Sequence, residues 1–87
     1  MNMAQMIGLA ARFHRRKAGL TQIKLARLAG VGKTVVFDLE KGKTSIQLDT
    51  LTKILTVLNM ELDMKSPLME EFRKSLQTPS PSTREPS

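Results

Sequence analysis

The sequence predicts an all-α domain of four to five short helices, followed by one β-strand at about residues 60–66 that pairs across a homodimer. Apolar residues recur with the period of an α-helix as far as about residue 58, and the period then changes to two, which is typical of a strand. The chain of 87 residues has room for one small core, which dimerisation would help to stabilise. We therefore expect one domain at residues 1–66, a short amphipathic segment at 67–77 and a disordered tail at 78–87.

The first two predicted helices are bounded by residues that commonly start or stop a helix. The first is expected from about Ala4 to Lys17, with Gly19 as its C-terminal cap. The second opens at Thr21, whose hydroxyl oxygen can accept a hydrogen bond from a free backbone N–H, and it stops at Gly30. Its expected buried side consists of Ile23, Leu25, Ala26, Leu28 and Ala29.

The third and fourth predicted helices each carry one apolar side. The third is expected over residues 33–41. The fourth is expected from about residue 48 to residue 58, where Asn59 can take the left-handed conformation that ends many helices. The apolar residues are Val35, Val36 and Leu39 in the third helix, and Leu51, Ile54, Leu55 and Leu58 in the fourth. The spacing of the last four is that of an amphipathic helix.

The segment at residues 60–65 alternates between apolar and charged side chains, which predicts a half-buried strand. A lone strand leaves its backbone N–H and C=O groups unpaired, and the simplest partner is its own copy across a two-fold axis. The side chains expected on the dimer side are Met60, Leu62 and Met64. The alternative is an extended segment that lies on the helices.

The last part of the chain divides into an amphipathic piece and a polar tail. Pro67 begins the amphipathic piece, since proline suits a first helical position. Its apolar side consists of Leu68, Met69, Phe72 and Leu76. Residues 78–87 contain three Pro and three Ser and no large apolar residue, which predicts disorder.

Positive charge is concentrated in the first half of the chain. The formal net charge is +6, and residues 1–43 hold nine of the 14 Lys and Arg residues but only two of the eight acids. A basic half of this kind favours a nucleic-acid partner, and the alternative is a surface that only keeps the protein soluble.

Several classes of function are excluded by composition. The chain has no Cys, which excludes a thiolate metal site, and its one His cannot by itself make a metal site or a catalytic triad. Ser and acidic residues are present, but the sequence offers no set of nucleophile, base and orienting residue. We expect no enzyme activity, no metal and no cofactor, and we interpret His14 as a surface residue. Apolar runs are too short to span a bilayer, so no membrane partner and a bacterial cytoplasmic location are expected.

The most informative spacing lies within residues 22–39. Ala26 is small where two helices would cross, and Gly30 can adopt the left-handed backbone that a tight turn needs. Val31, Val36 and Leu39 would fill the angle between the helices. This pattern predicts two short helices joined at a steep angle.

These residues resemble a known family. The matching positions are Thr21-Gln22, Leu25-Ala26, Gly30-Val31 and Leu39-Glu40-Lys41-Gly42-Lys43, which look like the Xre/Cro-like helix-turn-helix repressors over about residues 5–58. The resemblance implies a lambda-repressor-like helix-turn-helix bundle that binds double-stranded operator DNA as a homodimer and represses transcription.

The continuation from Leu48 to Leu58, with the strand behind it, is similar to HipB-type antitoxins. This second resemblance implies that the protein represses its own operon and binds a HipA-like kinase toxin. One alternative is a free-standing Cro-like repressor of a phage or plasmid, without a toxin. Another is a protein-interaction module that uses the same helices without DNA.

The resemblance also implies roles for individual residues. The expected base contacts are Gly32, Lys33, Thr34, Phe37 and Asp38, at the start of a third helix that lies in the major groove. The expected phosphate contacts are Thr21, Gln22, Lys43 and Thr44. Arg15 and Glu40 are expected to form a structural ion pair. The expected toxin contact consists of Leu68, Met69, Phe72 and Leu76.

Five residues have alternative roles. Lys33 could contact a phosphate instead of a base, and Thr21 could act only as a helix cap. Asp38 could accept a hydrogen bond from cytosine or simply orient Lys33. Phe37 could contact a thymine methyl group and Phe13 a partner, or both could pack at the edges of the domain.

Overall fold

Five helices make up the described part of the chain. The computed structural model describes residues 1–77, so the predicted disordered tail lies outside the described residues. The helices are α1 (Met3–Lys17), α2 (Gln22–Ala29), α3 (Lys33–Glu40), α4 (Leu48–Val57) and α5 (Met69–Gln77). The all-α prediction of four to five helices is confirmed, and the bounds of the first four agree closely with those expected from the sequence.

Local hydrogen bonds explain where the helices begin and end. The Asn2 side chain accepts from the backbone N–H of Gln5 at 2.8 Å, while the Gln5 side chain accepts from the N–H of Asn2 at 2.9 Å, a reciprocal capping box. Thr21 caps α2 by accepting from the N–H of Lys24 at 3.0 Å. Gly30, with φ at 71°, ends α2 in the left-handed region. Asn59 is left-handed too, at φ 61°, as predicted.

The core is aliphatic and lies between the first four helices. The helix α1 packs on α3, α3 packs on α2, and α2 packs on α4. The buried apolar residues are Ala11, Leu25, Ala26, Val36, Leu39, Leu51, Ile54, Leu55 and Leu58. Most of the apolar positions predicted for the third and fourth helices are therefore in the core.

A glycine in α1 allows α1 and α3 to approach closely. A Cβ atom on Gly8 would collide with the backbone carbonyl oxygen of Leu39, which cannot move without disturbing α3. The same Cβ atom would lie 3.1 Å from the carbonyl oxygen of Glu40. Because the two backbones meet here, the end of α3 lies beside α1.

Two residues of α2 are not where the sequence predicted them. Ile23 and Leu28 were expected in the core, and their side chains are 51% and 54% exposed. The reason is geometric: with 3.6 residues per turn, both lie about a third of a turn from the side of α2 that carries Leu25 and Ala26. That side alone faces the core, so the broader prediction was wrong.

The predicted strand does not occur within residues 1–77. Residues 60–66 have no regular secondary structure, with Met60 half-buried against the core and Leu62 and Met64 exposed. A strand of this kind would need a second chain to supply its hydrogen-bond partners. The dimer strand therefore stays a prediction.

The helix α5 follows a turn at Pro67 and Leu68. Proline precedes the helix instead of occupying its first position. Arg73 donates to the carboxylate of Asp63 at 3.1 Å and to the carbonyl oxygen of Met64 at 3.3 Å, which ties α5 to the preceding segment. The apolar side of α5 is exposed at Phe72 and Leu76 and half-buried at Met69, and Leu68 in the preceding turn is exposed as well. None of the helices in residues 1–77 is both long and apolar enough to cross a lipid bilayer.

Candidate nucleic-acid interface

A hydrogen-bonded network around Glu40 joins the first three helices. Arg15 donates to both oxygens of the Glu40 carboxylate, from Nε at 2.6 Å and from Nη2 at 3.1 Å. Its Nη1 donates to the carbonyl oxygen of Leu20 at 2.8 Å, and Nε2 of Gln22 donates to Glu40 Oε1 at 3.0 Å. The Arg15 and Glu40 side chains are only 13% and 4% exposed. The network therefore fixes the start of α2 against the ends of α1 and α3.

One member of this network, Gln22, was not predicted from the sequence. Arg15 and Glu40 were expected to pair, and the structure brings them together, but Gln22 was expected only as a phosphate contact. An amide nitrogen carries two hydrogens, so its bond to Glu40 leaves Gln22 the capacity to donate to a phosphate as well. Gln22 is thus held in place by the same carboxylate that orients Arg15.

An open cleft of about 660 Å³ lies beside the network, where α2 and α3 begin. Its lining residues are Arg15, Thr21, Gln22, Ile23, Lys33, Thr34 and Phe37. Five of the residues that the sequence predicted to contact DNA are therefore gathered in one place. Ile23 was missed because the sequence placed it in the core; counting helical turns from the buried pair Leu25 and Ala26 would have placed it outside.

The start of a helix is a favourable place for an anion, because the first backbone N–H groups are free and the helix dipole is positive there. In α2 the Thr21 hydroxyl oxygen is engaged as the cap, and its hydrogen can still be donated to a phosphate. In α3 the capping residue is Gly32, which has no side chain to occupy the free N–H groups. Backbone donors of α3 therefore face an approaching ligand without a side-chain competitor.

The remaining predicted residues lie on and just after α3. The Lys43 ammonium lies 3.5 Å from an oxygen of Asp38, so Asp38 pairs with Lys43 and not with Lys33. Both groups are substantially exposed, and such pairs are weak enough to open on binding. Lys41 places its ammonium 4.8 Å from the centre of the Phe37 ring, which restrains the ring at the cleft. Thr44 is exposed in the loop that follows.

The sequence pattern of the helix-turn-helix family HTH_3, which is Xre/Cro-like, matches residues 12–64, a span that includes the whole network and cleft. The chain belongs to the helix-turn-helix family. The family is not enzymatic, in agreement with the prediction from composition.

Two relatives of this helix-turn-helix protein support the assignment. An uncharacterized HTH-type transcriptional regulator of Sinorhizobium fredii, y4mF, is 36% identical over 61 residues, which cover 70% of this chain and 80% of that protein. An HTH-type transcriptional regulator of Haemophilus influenzae is 38% identical over 50 residues, which cover 58% of this chain and 51% of that protein. The chain thus spans about half the length of the second relative.

The network around Glu40 should contribute far more to the free energy of unfolding than the exposed ion pair between Asp38 and Lys43. Replacing Arg15 by Leu leaves a buried carboxylate without its cation, and we expect a loss of roughly 3 kcal/mol or more in the free energy of unfolding, measured by urea denaturation. Replacing Glu40 by Leu in the same chain should recover part of this loss, because the uncompensated charge is then gone. The matched control Lys43→Ala should cost less than about 1 kcal/mol. An Arg15→Leu variant as stable as this control would contradict the structural role.

Proposed function

We propose that this helix-turn-helix protein is a sequence-specific DNA-binding transcriptional repressor whose α3 enters the major groove. The observation that carries the proposal is the cleft at the start of α2 and α3, which combines Lys33, Thr34, Thr21 and Gln22 on one surface. The names of its relatives, which are HTH-type transcriptional regulators, support a role in transcription. The protein would act in the bacterial cytoplasm, on the nucleoid when bound.

The proposed contacts fall into two groups. Lys33 and Thr34, in the first turn of α3, reach base edges, where lysine can donate to guanine and threonine can contact several bases. Phe37 and Asp38 lie one turn further along α3. Gly32 has no side chain, so the backbone at the start of α3 can approach the groove closely. Phosphates on either side are bound by Thr21, Gln22, Lys43 and Thr44, which set the position of α3 without selecting a sequence.

The network around Glu40 gives this surface its rigidity. Gln22 and Arg15 are both held by the Glu40 carboxylate, so the start of α2 is fixed against the end of α3 before DNA arrives. A preformed surface loses less conformational entropy on binding than a mobile one. The concentration of Lys and Arg in residues 1–43 adds an attraction to phosphates that depends on salt.

A homodimer completes the proposal. Residues 60–66 would pair with the same residues of a second copy, burying Leu62 and Met64, which are exposed in the single chain. The pair of recognition helices would then lie about 34 Å apart and match a palindromic site.

Changes at the start of α3 and after its end should have different effects on DNA binding. Lys33→Ala and Thr34→Ala should each cost roughly 1–3 kcal/mol of binding free energy and relax sequence preference, because base contacts are lost. Lys43→Ala should weaken binding to all sequences and lower the dependence of affinity on salt, because a phosphate contact is lost. Fluorescence anisotropy on a specific and a scrambled duplex, at two salt concentrations, measures both effects.

The matched control for this experiment is Lys53→Ala, which removes an exposed lysine of α4, outside the cleft. It should leave affinity nearly unchanged. If Lys33→Ala and Lys53→Ala behave alike, α3 does not bind bases as proposed. If the protein shows no binding that depends on salt, it is an interaction module and not a repressor.

The dimer strand is tested within residues 60–66. Leu62→Lys places a charge on the predicted dimer side, and we expect monomers at micromolar concentration in sedimentation-velocity experiments. Glu61→Lys introduces the same group on the other side of the strand and should leave the dimer intact. A Leu62→Lys variant that sediments as a dimer would remove strand pairing from the proposal.

We further propose that the repressor is the antitoxin of a HipBA-like pair, binds a kinase toxin and regulates its own operon. Support comes from two exposed apolar surfaces that lie outside the cleft. One follows the outer side of α1 through Met3, Met6, Leu9 and Phe13, and the other is the apolar side of α5. Exposed apolar patches commonly bind proteins. The alternative is a free-standing Cro-like repressor, which binds no toxin.

Coexpression with the product of a neighbouring kinase-like gene tests the antitoxin role. We expect the two proteins to copurify, and Phe72→Ala to weaken the complex because it removes the central side chain of the apolar side of α5. Lys74→Ala, on the opposite side of α5, is the matched control and should retain the complex. The free-standing repressor is favoured if the gene has no such neighbour or if its product does not bind.

A further inference from the structure

Two large apolar side chains lie inside the otherwise polar cleft. Ile23, on α2, is 51% exposed, and Phe37, on α3, is 45% exposed. The other lining residues are Arg15, Thr21, Gln22, Lys33 and Thr34, each of which carries a charge or a hydrogen-bonding group. Leaving half of an isoleucine and half of a phenylalanine in water is unfavourable, so a ligand that covers them would gain free energy.

A ligand that fits this cleft needs an anionic edge to face Lys33 and an apolar group to cover Ile23 and Phe37. A DNA major groove has this chemistry, because its edges are phosphates and its floor is polar except for the 5-methyl group of thymine. A protein partner would have to bury the exposed ammonium of Lys33 beside its apolar group. The free positive charge of Lys33 and the helix starts at the cleft therefore favour DNA.

We propose that Ile23 and Phe37 form an apolar subsite for the 5-methyl group of thymine, so that part of the base recognition comes from α2. This inference rests on the proposed DNA-binding function and extends it. Phe37 lies one turn after Lys33 on the same side of α3, which brings its ring to the region where base edges are expected. Ile23 approaches the same space from the second helix.

Neighbouring contacts hold both walls of the subsite in place. The residue before Ile23 is Gln22, whose side chain is fixed by Glu40 at 3.0 Å. The Lys41 ammonium lies over the Phe37 ring, 4.8 Å from the ring centre. Because the network around Glu40 joins the two helices, the gap between Ile23 and Phe37 is set before binding.

The subsite recognises a methyl group and not a particular base. The methyl group of 5-methylcytosine occupies the same ring position as that of thymine. At the contacted position, a 5-methylcytosine would therefore bind better than an unmodified cytosine. Burying one methyl group corresponds to about a fourfold change in affinity.

The test uses the full chain and the tightest-binding duplex selected from a random pool, so that it does not depend on knowing the operator. Each thymine is replaced in turn by deoxyuridine, which differs only in lacking the methyl group. We expect about fourfold weaker binding at one symmetry-related position in each half-site, measured by fluorescence anisotropy. Replacing that thymine by cytosine and by 5-methylcytosine should give the same order of preference for the methyl group.

Two variants connect the preference to the subsite. Ile23→Ala should bind the thymine and deoxyuridine duplexes with nearly equal affinity, as should Phe37→Ala. Leu28→Ala is the matched control, because Leu28 lies on the same helix, is 54% exposed and is outside the cleft. It should keep the fourfold preference. Because all three side chains are exposed, we expect the variants to fold like the wild type, and their thermal melting temperatures check this.

The outcomes separate this inference from the function on which it rests. If the wild-type protein binds every deoxyuridine duplex as tightly as the thymine duplex, or if the selected site has no thymine at the contacted position, there is no methyl subsite although the repressor function stands. The same holds if the preference persists in both Ile23→Ala and Phe37→Ala. Failure to select any duplex, with no binding that depends on salt, removes both proposals.

Discussion

The bidentate ion pair between Arg15 and Glu40 is the interaction on which the arrangement of this domain depends. It connects residues 25 positions apart in the chain, and the bond from Gln22 to the same carboxylate adds the start of α2. A carboxylate so far removed from water is stable only while its cation and its amide donor keep their places. The network holds the start of α2 beside the end of α3, and the cleft lies next to it. Gly8 makes the arrangement possible, since only a residue without a side chain lets α1 meet the end of α3.

A small core explains why so much apolar surface remains outside it. Short helices can bury only one narrow side each, and the described residues leave apolar groups exposed in the cleft, on the outer side of α1 and on α5. Each surface has a different chemical setting. The cleft is bordered by cations and helix starts, whereas the apolar side of α5 follows a segment of alternating apolar and charged residues. Binding to any of these surfaces would also stabilise the fold, because a partner that binds only the native state shifts the folding equilibrium.

Much of the fold was predictable because its signals are local. Thr21, Gly30 and Asn59 mark helix ends through their own backbone and side-chain chemistry, and the period of the apolar residues in α4 identifies its buried side. The candidate site was predictable in part. The residues at the start of α3 and the partnership of Arg15 with Glu40 were expected from the family resemblance. The place of Ile23 was not, because the apolar residues of α2 form one broad side, and the core covers only the part of it that carries Leu25 and Ala26.

The sequence by itself determined the number, order and ends of the first four helices, the excess of positive charge in the first half and the helix-turn-helix pair. Only the tertiary structure decided which side of α2 is buried, that Gln22 joins Arg15 on Glu40, and that Asp38 pairs with Lys43 and not with Lys33. The physical reason is that caps, turns and helical periods depend on neighbours within a few residues. The direction of a side chain toward core, cleft or ion pair depends on where another helix lies, and packing of the whole chain determines that position.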